Sequence, residues 1–234
     1  ETKKVKISSP GIEEKARKAR YKFFGDLVKK HKADFVILAH NLDDNLETVL
    51  LNIVRGCSIK GLSGMREIQG NLLRPLLNTT KEGILKYLKK NKLKYCIDKS
   101  NKDPKFTRNF LRLEVIPLLK KINPNLLQTF GKNLGNIQEI ELFLNEKAEK
   151  WLNANFKNNK VDLGKFQKLD KAFQKIVITK IFEKLNKSTQ NLEKIDIDEI
   201  LSIIEKGIGK KQKTFQKIRI EILNKSIVFL NLKQ

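Results

Sequence analysis

The chain has 234 residues and a formal net charge of +23, from 49 Lys and Arg against 26 Asp and Glu, with an isoelectric point near 9.9. That length allows one large or two modest domains, and the charge directs the chain towards polyanions, nucleic acid first and an acidic membrane surface second. Cys57 and Cys96 stand far apart, which excludes a CxxC pair, a zinc ribbon or a cysteine-ligated cluster from these residues alone, and no apolar run approaches the roughly 20 residues of a membrane span.

Both halves are basic, +14 over residues 1–120 and +9 over 121–234, so one tail does not account for the charge. A Lys-rich and Asn-rich compositional habit would produce the same spread. The two cysteines suit reduced thiols of a cytoplasmic protein, and nothing resembles a signal peptide.

Glu1 to Ile7 reads as a strand end arriving from something earlier, and a start at Glu1 without Met is expected of a fragment. Ser8-Ser9-Pro10 opens a helix by the cap-then-proline pattern, with Ile12, Ala16, Ala19, Phe23 and Leu27 on one face and Arg17 and Arg20 beside it. The run Phe35-Val36-Ile37-Leu38 has no polar alternation, so it is expected to be a parallel strand buried on both faces. His40 then falls at the carboxyl end of that strand, the edge where open α/β sheets bind ligands.

From Leu42 to Arg55 the period is helical and Gly56 is a natural stop. Leu42, Leu46, Val49, Leu50 and Ile53 are expected on one face, with Asp44, Glu47, Thr48 and Arg55 opposite. Asp43 and Asp44 in the first turn suit the helix dipole. With Glu47 and His40 they also form a cluster of hard ligands able to hold Mg²⁺ on nucleotide phosphates.

Three glycines between Arg55 and Met65 mark an irregular loop. Asn71 to Leu77 reads as a short strand halted by Pro75, and Thr79 to Glu82 has the capping-box spacing that starts a helix through Leu88. Tyr95-Cys96-Ile97 returns as an extended piece ending in Asp98-Lys99-Ser100-Asn101. Thr107 begins a further helix running towards Pro117, and the spacing places Arg108 and Arg112 on a shared face, as a phosphate clamp or as a coincidental pair.

Beyond Asn123 helical periodicity dominates, over Leu126–Leu152, Phe166–Leu185 and Ile197–Ile204, with Trp151 expected in the core. Thr214 to Leu232 has two β-rich arms around Asn224-Lys225-Ser226, a hairpin. The expected domains are 1–120 and a mostly helical 121–234, with the boundary across Pro117 to Pro124.

The ordered series Ala39-His40-Asn41-Leu42-Asp43-Asp44-Asn45-Leu46-Glu47-Thr48, Arg55-Gly56, Gly61-Leu62, Arg74-Pro75-Leu76-Leu77, Asp98-Lys99-Ser100-Asn101 and Arg108-Asn109-Phe110-Leu111-Arg112 resembles the tRNA(Ile)-lysidine synthases, as does the helix ending in Arg20-Tyr21. The likeness is strong over Ser9 to Leu119. It implies an α/β fold: the later part of a PP-loop ATP pyrophosphatase domain with a partial parallel sheet, then a mostly helical tRNA-binding domain with a terminal β-hairpin.

The implied reaction uses ATP to adenylate the C2 oxygen of the wobble cytidine in the isoleucine tRNA with a CAU anticodon, after which free lysine displaces AMP. The resemblance assigns Asp44 and Glu47 to the lysine amine, with Asp44 sharing in Mg²⁺, and His40 to the phosphates or adenylate. Arg20 and Arg112 would stabilise phosphate or the activated cytidine, and Asp43, Arg55, Arg74, Asn101, Arg108 and Asn109 would line the substrate, ATP and tRNA site. A homodimer, a cytoplasmic location and no membrane partner complete the expectation.

The family's Ser-Gly-Gly-x-Asp-Ser loop occurs nowhere in these residues, so the chain by itself is expected to be inactive, with exposed apolar sheet edges that favour aggregation. Two other assignments compete: a tRNA thiolase of the same superfamily, which would use further cysteines, and a non-catalytic RNA-binding module. A passive binder has no need of acids beside a polyanion.

Overall fold

The computed structural model describes residues 1–2, 4–5, 12–96, 106–186, 194–206, 213–215 and 217–232. In chain order the elements are α1 (Ile12–His31), β1 (Val36–Ile37), α2 (Leu42–Arg55), α3 (Ile59–Leu62), β2 (Ile68–Gln69), β3 (Leu72–Leu73), α4 (Lys81–Lys90), α5 (Thr107–Phe110), a π-helical turn (Leu111–Val115) and α6 (Ile116–Ile122). There follow α7 (Leu126–Asn155), β4 (Lys160–Asp162), α8 (Leu163–Gln167), α9 (Lys171–Asn186), α10 (Lys194–Lys206), β5 (Lys213–Phe215), β6 (Ile218–Leu223) and β7 (Ser226–Asn231). The chain divides into two compact units, one of Glu1–Arg55 with Ser63–Leu134, the other of Gly56–Leu62 with Gly135–Gln234.

In the first unit the sheet order is β1-β3-β2. β1 runs parallel to β3, pairing Val36 with Leu72 and Ile37 with Leu73, while β2 is antiparallel to β3. The parallel strand is where the sequence places it, but it is not buried on both faces: Ile37 is 69% exposed and Phe35 is exposed too. Among the described residues β1 has one strand neighbour, and the face carrying Ile37 is uncovered.

The unit's apolar core is small. Leu42 and Leu46 of α2 pack with Ile116 of α6 and Leu127 of α7, flanked by Leu50, Leu126 and Phe130. The expected faces of α2 are therefore shifted. Ile53 is 52% exposed because this core ends before the last turn, whereas Glu47 is buried, for a reason that lies in the site.

The start of α4 also differs by one residue from the expected box. Thr80, not Thr79, caps it, accepting from the Gly83 amide at 3.1 Å. Thr79 instead offers its carbonyl to the Leu42 amide at 3.0 Å, and Asp43 Oδ2 accepts from the Lys81 amide at 2.7 Å. The first turns of α2 and α4 thus satisfy each other's orphan donors.

Pro117 does not stop its helix but sits in the first turn of α6, directly after the π turn. Proline has no N–H to give to the Leu113 carbonyl, and the wide turn, closed by the Ile116 amide on the Leu111 carbonyl, precedes that missing bond. Tyr95 and Cys96 form no strand, while Ser8–Pro10, Ile97 and Asp98–Asn101 lie outside the described residues.

The second unit is built on apolar burial. Its four-stranded antiparallel sheet has the order β4-β7-β6-β5. In β6 alternate residues Ile218, Ile220 and Ile222 point inward and join Phe229, Leu152, Phe166, Ile178, Ile181, Phe182 and Ile200 in the buried interior. Trp151 packs edge-on to Phe166 with ring centroids 6.3 Å apart. The expected hairpin is present, and its turn residues Asn224 and Lys225 both have positive φ, 46° and 61°, as a two-residue turn matched to strand twist requires.

β4 was not expected. The expected Phe166–Leu185 helix is two helices, α8 and α9, and buried Gln174 donates to the Phe166 and Leu169 carbonyls at the break. Among the described residues no helix is long and apolar enough to cross a membrane.

Candidate functional site

The site starts where β1 hands over to α2. Asp44 accepts from the Asn41 amide at 3.1 Å through Oδ2, and the Asp44 amide donates to Asn41 Oδ1 at 3.0 Å. This reciprocal pair is a capping box made with Asn and Asp. It fixes the Asp44 carboxylate at the first turn, and Thr48 Oγ1 donates to the Asp44 carbonyl at 2.8 Å one turn on.

Glu47 lies on the next step of the same helix and is only 1% exposed. A carboxylate is removed from water this far only if its oxygens are satisfied by charge. Arg108 Nε donates to Glu47 Oε2 at 2.7 Å, while Arg112 donates through Nε to Oε1 at 2.6 Å and through Nη2 to Oε2 at 2.9 Å. The hydrogen bonds it donates to Glu47 hold the Arg112 guanidinium above its ordinary range, against the opposing effect of burial.

Arg108 Nη2 also donates to the Asp44 carbonyl at 3.0 Å, and Asp44 Oδ1 stands 3.5 Å from Arg112 Nη2 and 3.8 Å from Arg108 Nη2. Two guanidiniums and two carboxylates therefore interlock. They are not equivalent. Glu47 is closed off, whereas the Asp44 side chain keeps 22% of its surface and those of Arg108 and Arg112 keep 36% and 25%. Arg108 lies in α5 and Arg112 is the second residue of the π turn that follows, and from these places, four residues apart, the two guanidiniums share one carboxylate.

Behind this cluster His40 follows β1. Its ring Nδ1 accepts from Arg74 Nε at 3.3 Å, and Arg74, 3% exposed, further donates to the Arg66 carbonyl at 2.8 Å and to Gln69 Oε1 at 3.4 Å. Burial lowers the His40 pKa below its ordinary 6.5; Asp44 opposes this and the Arg74, Arg108 and Arg20 charges add to it. Buried Asn45 ties the neighbouring loop down, accepting from the Met65 amide at 2.7 Å and donating to its carbonyl at 3.4 Å. Gly64 has φ +61°, and a Cβ there would collide with Asn45 Oδ1.

A family model described as the PP-loop domain matches residues 1–119, just over half of the chain. The chain belongs to the PP-loop family. It is 43% identical over 143 residues to the tRNA(Ile)-lysidine synthase of Thermosipho africanus, covering 61% of this chain and 34% of that protein. It is 30% identical over 204 residues to the tRNA(Ile)-lysidine synthase of Caldanaerobacter subterraneus, covering 85% of this chain and 44% of that protein. With the enzyme of the same name from Francisella philomiragia the identity is 33% over 196 residues, 80% of this chain and 48% of the relative. The chain thus spans about a third to a half of the curated relatives it matches. The two longer matches extend past the PP-loop domain into the second unit.

Within this PP-loop domain the structure gathers Asp44, Glu47, Arg108 and Arg112 into one cluster and sets His40 and Arg74 beside it. Asn109 is buried on α5 between the arginines in sequence. Arg20 is exposed on α1, its charge felt at His40. Asp43 is spent on the α4 start, and exposed Arg55 ends α2, eleven residues or about 16 Å along the axis from Asp44. Asn101 lies outside the described residues.

Asn41, Asn45 and Thr48 were not expected in the site. Asn41 had a visible signal, an Asn three residues before an acid at a helix start. Among the described residues no three His, Cys, Asp or Glu gather as a metal cage. A hollow of about 480 Å³ lined by Asn125, Gln128, Thr129, Lys132 and Asn133 shares none of the cluster's residues.

Proposed function

We propose that this chain forms part of a tRNA(Ile)-lysidine synthase, which adenylates the C2 oxygen of the wobble cytidine with ATP, releasing pyrophosphate, and then joins free lysine to C2 with release of AMP. The observation that carries this is the buried Glu47 clamp with the open Asp44 carboxylate beside it, at the carboxyl end of a parallel strand. A carboxylate held between guanidiniums can receive a cationic amine, while the outer faces of the guanidiniums meet phosphate. The names of the similar proteins point the same way.

In this mechanism Asp44 accepts hydrogen bonds from the lysine ammonium and takes its proton. The freed amine attacks C2, the C2–O bond to AMP breaks, and AMP leaves with the former C2 oxygen. Glu47 acts mainly as the anchor that orients Arg108 and Arg112, whose positive charge stabilises the departing phosphate. His40 and Arg20 meet the nucleotide phosphates, Arg55 and the basic helices of residues 121–234 meet tRNA backbone, and residues 1–120 supply the catalytic part. Asn109 and Asn101 are neighbours of the reacting groups. Asp44 would hold Mg²⁺ through its partly exposed carboxylate, and the ion would neutralise charge on the nucleotide phosphates. The protein acts in the cytoplasm, as a monomer or a homodimer.

The test uses the full-length protein that carries this chain, with ATP, Mg²⁺, labelled lysine and isoleucine tRNA bearing a CAU anticodon. Lysine-dependent AMP release with label retained on the tRNA is expected, and Asp44→Asn is expected to abolish it while tRNA binding persists. AMP release with a sulfur donor alone would make the protein a thiolase. Binding without turnover would make it a passive module.

A further inference from the structure

Arg74 stands in a motif whose resemblance assigns it to substrate binding, yet its geometry points elsewhere. At 3% exposure it offers almost no surface to a ligand, and each nitrogen of its guanidinium already donates within the protein: Nη1 to the Arg66 carbonyl, Nη2 to Gln69 Oε1 and Nε to His40 Nδ1. The backbone holds it as firmly. The Arg74 amide donates to the Glu67 carbonyl at 2.8 Å, the Leu77 amide donates to the Arg74 carbonyl at 3.2 Å, and Pro75 restricts Arg74 itself to extended conformations.

An arginine has five N–H donors and no acceptor. The imidazole nitrogen facing Arg74 Nε must therefore carry a lone pair, which leaves the ring's single proton on Nε2. Among the described residues Nε2 has no hydrogen-bond partner.

On the functional reading above, we infer that Arg74 is a positioning residue that fixes His40 as the Nε2–H tautomer, so that this N–H is aimed as a donor at an oxygen of the bound nucleotide. His40 so held is a neutral donor that does not surrender or gain a proton in the reaction. Most of the groups around the ring disfavour its charged form. Arg74, Arg108 from α5 and Arg20 from α1 oppose an imidazolium, Asp44 from α2 favours it, and burial opposes it most. A neutral donor has a chemical advantage here: it stabilises phosphate charge without an acidic proton that would quench the lysine amine.

The chain has only two histidines, so nitrogen-15 spectra of labelled protein resolve both, and His31, paired with Glu1 at 2.8 Å, serves as the internal reference. Wild-type His40 is expected to show an unprotonated Nδ1 and a protonated Nε2 at neutral pH, without nucleotide. In Arg74→Met the two tautomers should mix, the titration of His40 should move upward, and lysine transfer by the full-length protein should fall about tenfold, the worth of one hydrogen bond. His40→Gln, whose amide N–H overlays Nε2, should retain more transfer than His40→Asn. A wild-type Nδ1 that carries the proton, or an Arg74→Met spectrum identical to wild type, would overturn the inference. Should Arg74→Met not fold, the wild-type spectrum and the Gln and Asn pair decide it. Because the spectra need no turnover, the expected tautomer in a protein that transfers no lysine would sink the functional reading and leave the Arg74 and His40 assignment standing.

Discussion

The two units are stabilised by different physics. The second buries a continuous apolar interior, with Phe166, Phe182, Phe229 and a set of Ile residues fully inside. The first has four buried apolar residues in its core cluster and also buries Asn45, Glu47, Ser63, Arg74 and Asn109. Apolar burial scales with area and tolerates exchange of similar shapes, whereas a buried polar network is worth much only when every member is satisfied. A site made of buried charge is thus carried by a region that gives up core to hold it, whereas the second unit buries only Glu141 and Gln174 among its described polar side chains.

Removing one member should break the contrast most sharply. Glu47→Ala leaves two guanidiniums facing each other without their anion, a cost of about 3–5 kcal/mol. Hydrogen exchange across α2 should accelerate while exchange across α9 stays unchanged; acceleration in both would show that the distinction is false. In the second unit Phe182→Ala should cost about 3–5 kcal/mol through the cavity it leaves. The readout is the fluorescence of Trp151, the only tryptophan, packed on Phe166.

Smaller effects sharpen the same line. Asn45→Ala deprives the Met65 amide of its acceptor and should cost about 1–3 kcal/mol, seen as faster exchange at Met65 and in α2. Thr80→Ala removes the α4 cap and should cost about 1 kcal/mol, confined to exchange in the first turn of α4.

The least effect separates the units by pH. His40 titrates below 6.5 when folded, chiefly through burial, so its contribution is intact above 6.5. As pH falls below 6.5 the unfolded chain binds the proton first, and the first unit loses stability until the folded value is passed. Glu183 in the second unit behaves oppositely in cause: burial raises its pKa, but bonds from Lys60 and Lys180 prevail and hold it below 4.5. Its stabilisation is present above 4.5 and fades as pH drops beneath it. An acid titration followed by exchange should therefore loosen α2 before α9, and the reverse order would contradict both assignments.

What the sequence revealed depended on the range of the interaction. The α2 start, the Asn224-Lys225 turn and the parallel run at Val36 are set by neighbours in the chain, and each appears close to its expected place. Helical periodicity places Glu47 opposite the apolar face and cannot foresee its burial, because it knows nothing of partners 61 and 65 residues away. Burial of Ile37 was expected from an apolar run, but burial requires a covering layer that a run cannot specify. The spacing of Arg108 and Arg112 predicted a shared face and left its partner open, phosphate or none; the structure supplies a carboxylate from the protein itself. Thr79 and Thr80 satisfy nearly the same local pattern, and the choice between them was made by Leu42, whose amide takes the Thr79 carbonyl.

The wide turn at Leu111–Val115 makes this segment a part of fixed length. Deleting Leu111 would leave Arg112 three residues after Arg108 instead of four, a turn of about 100° around the helix. Arg112 would then point away from Glu47, and that carboxylate would lose both of the bonds Arg112 gives it. Point changes there can be absorbed one side chain at a time. A change of register cannot, so variation in this stretch should arise by substitution and almost never by insertion or loss.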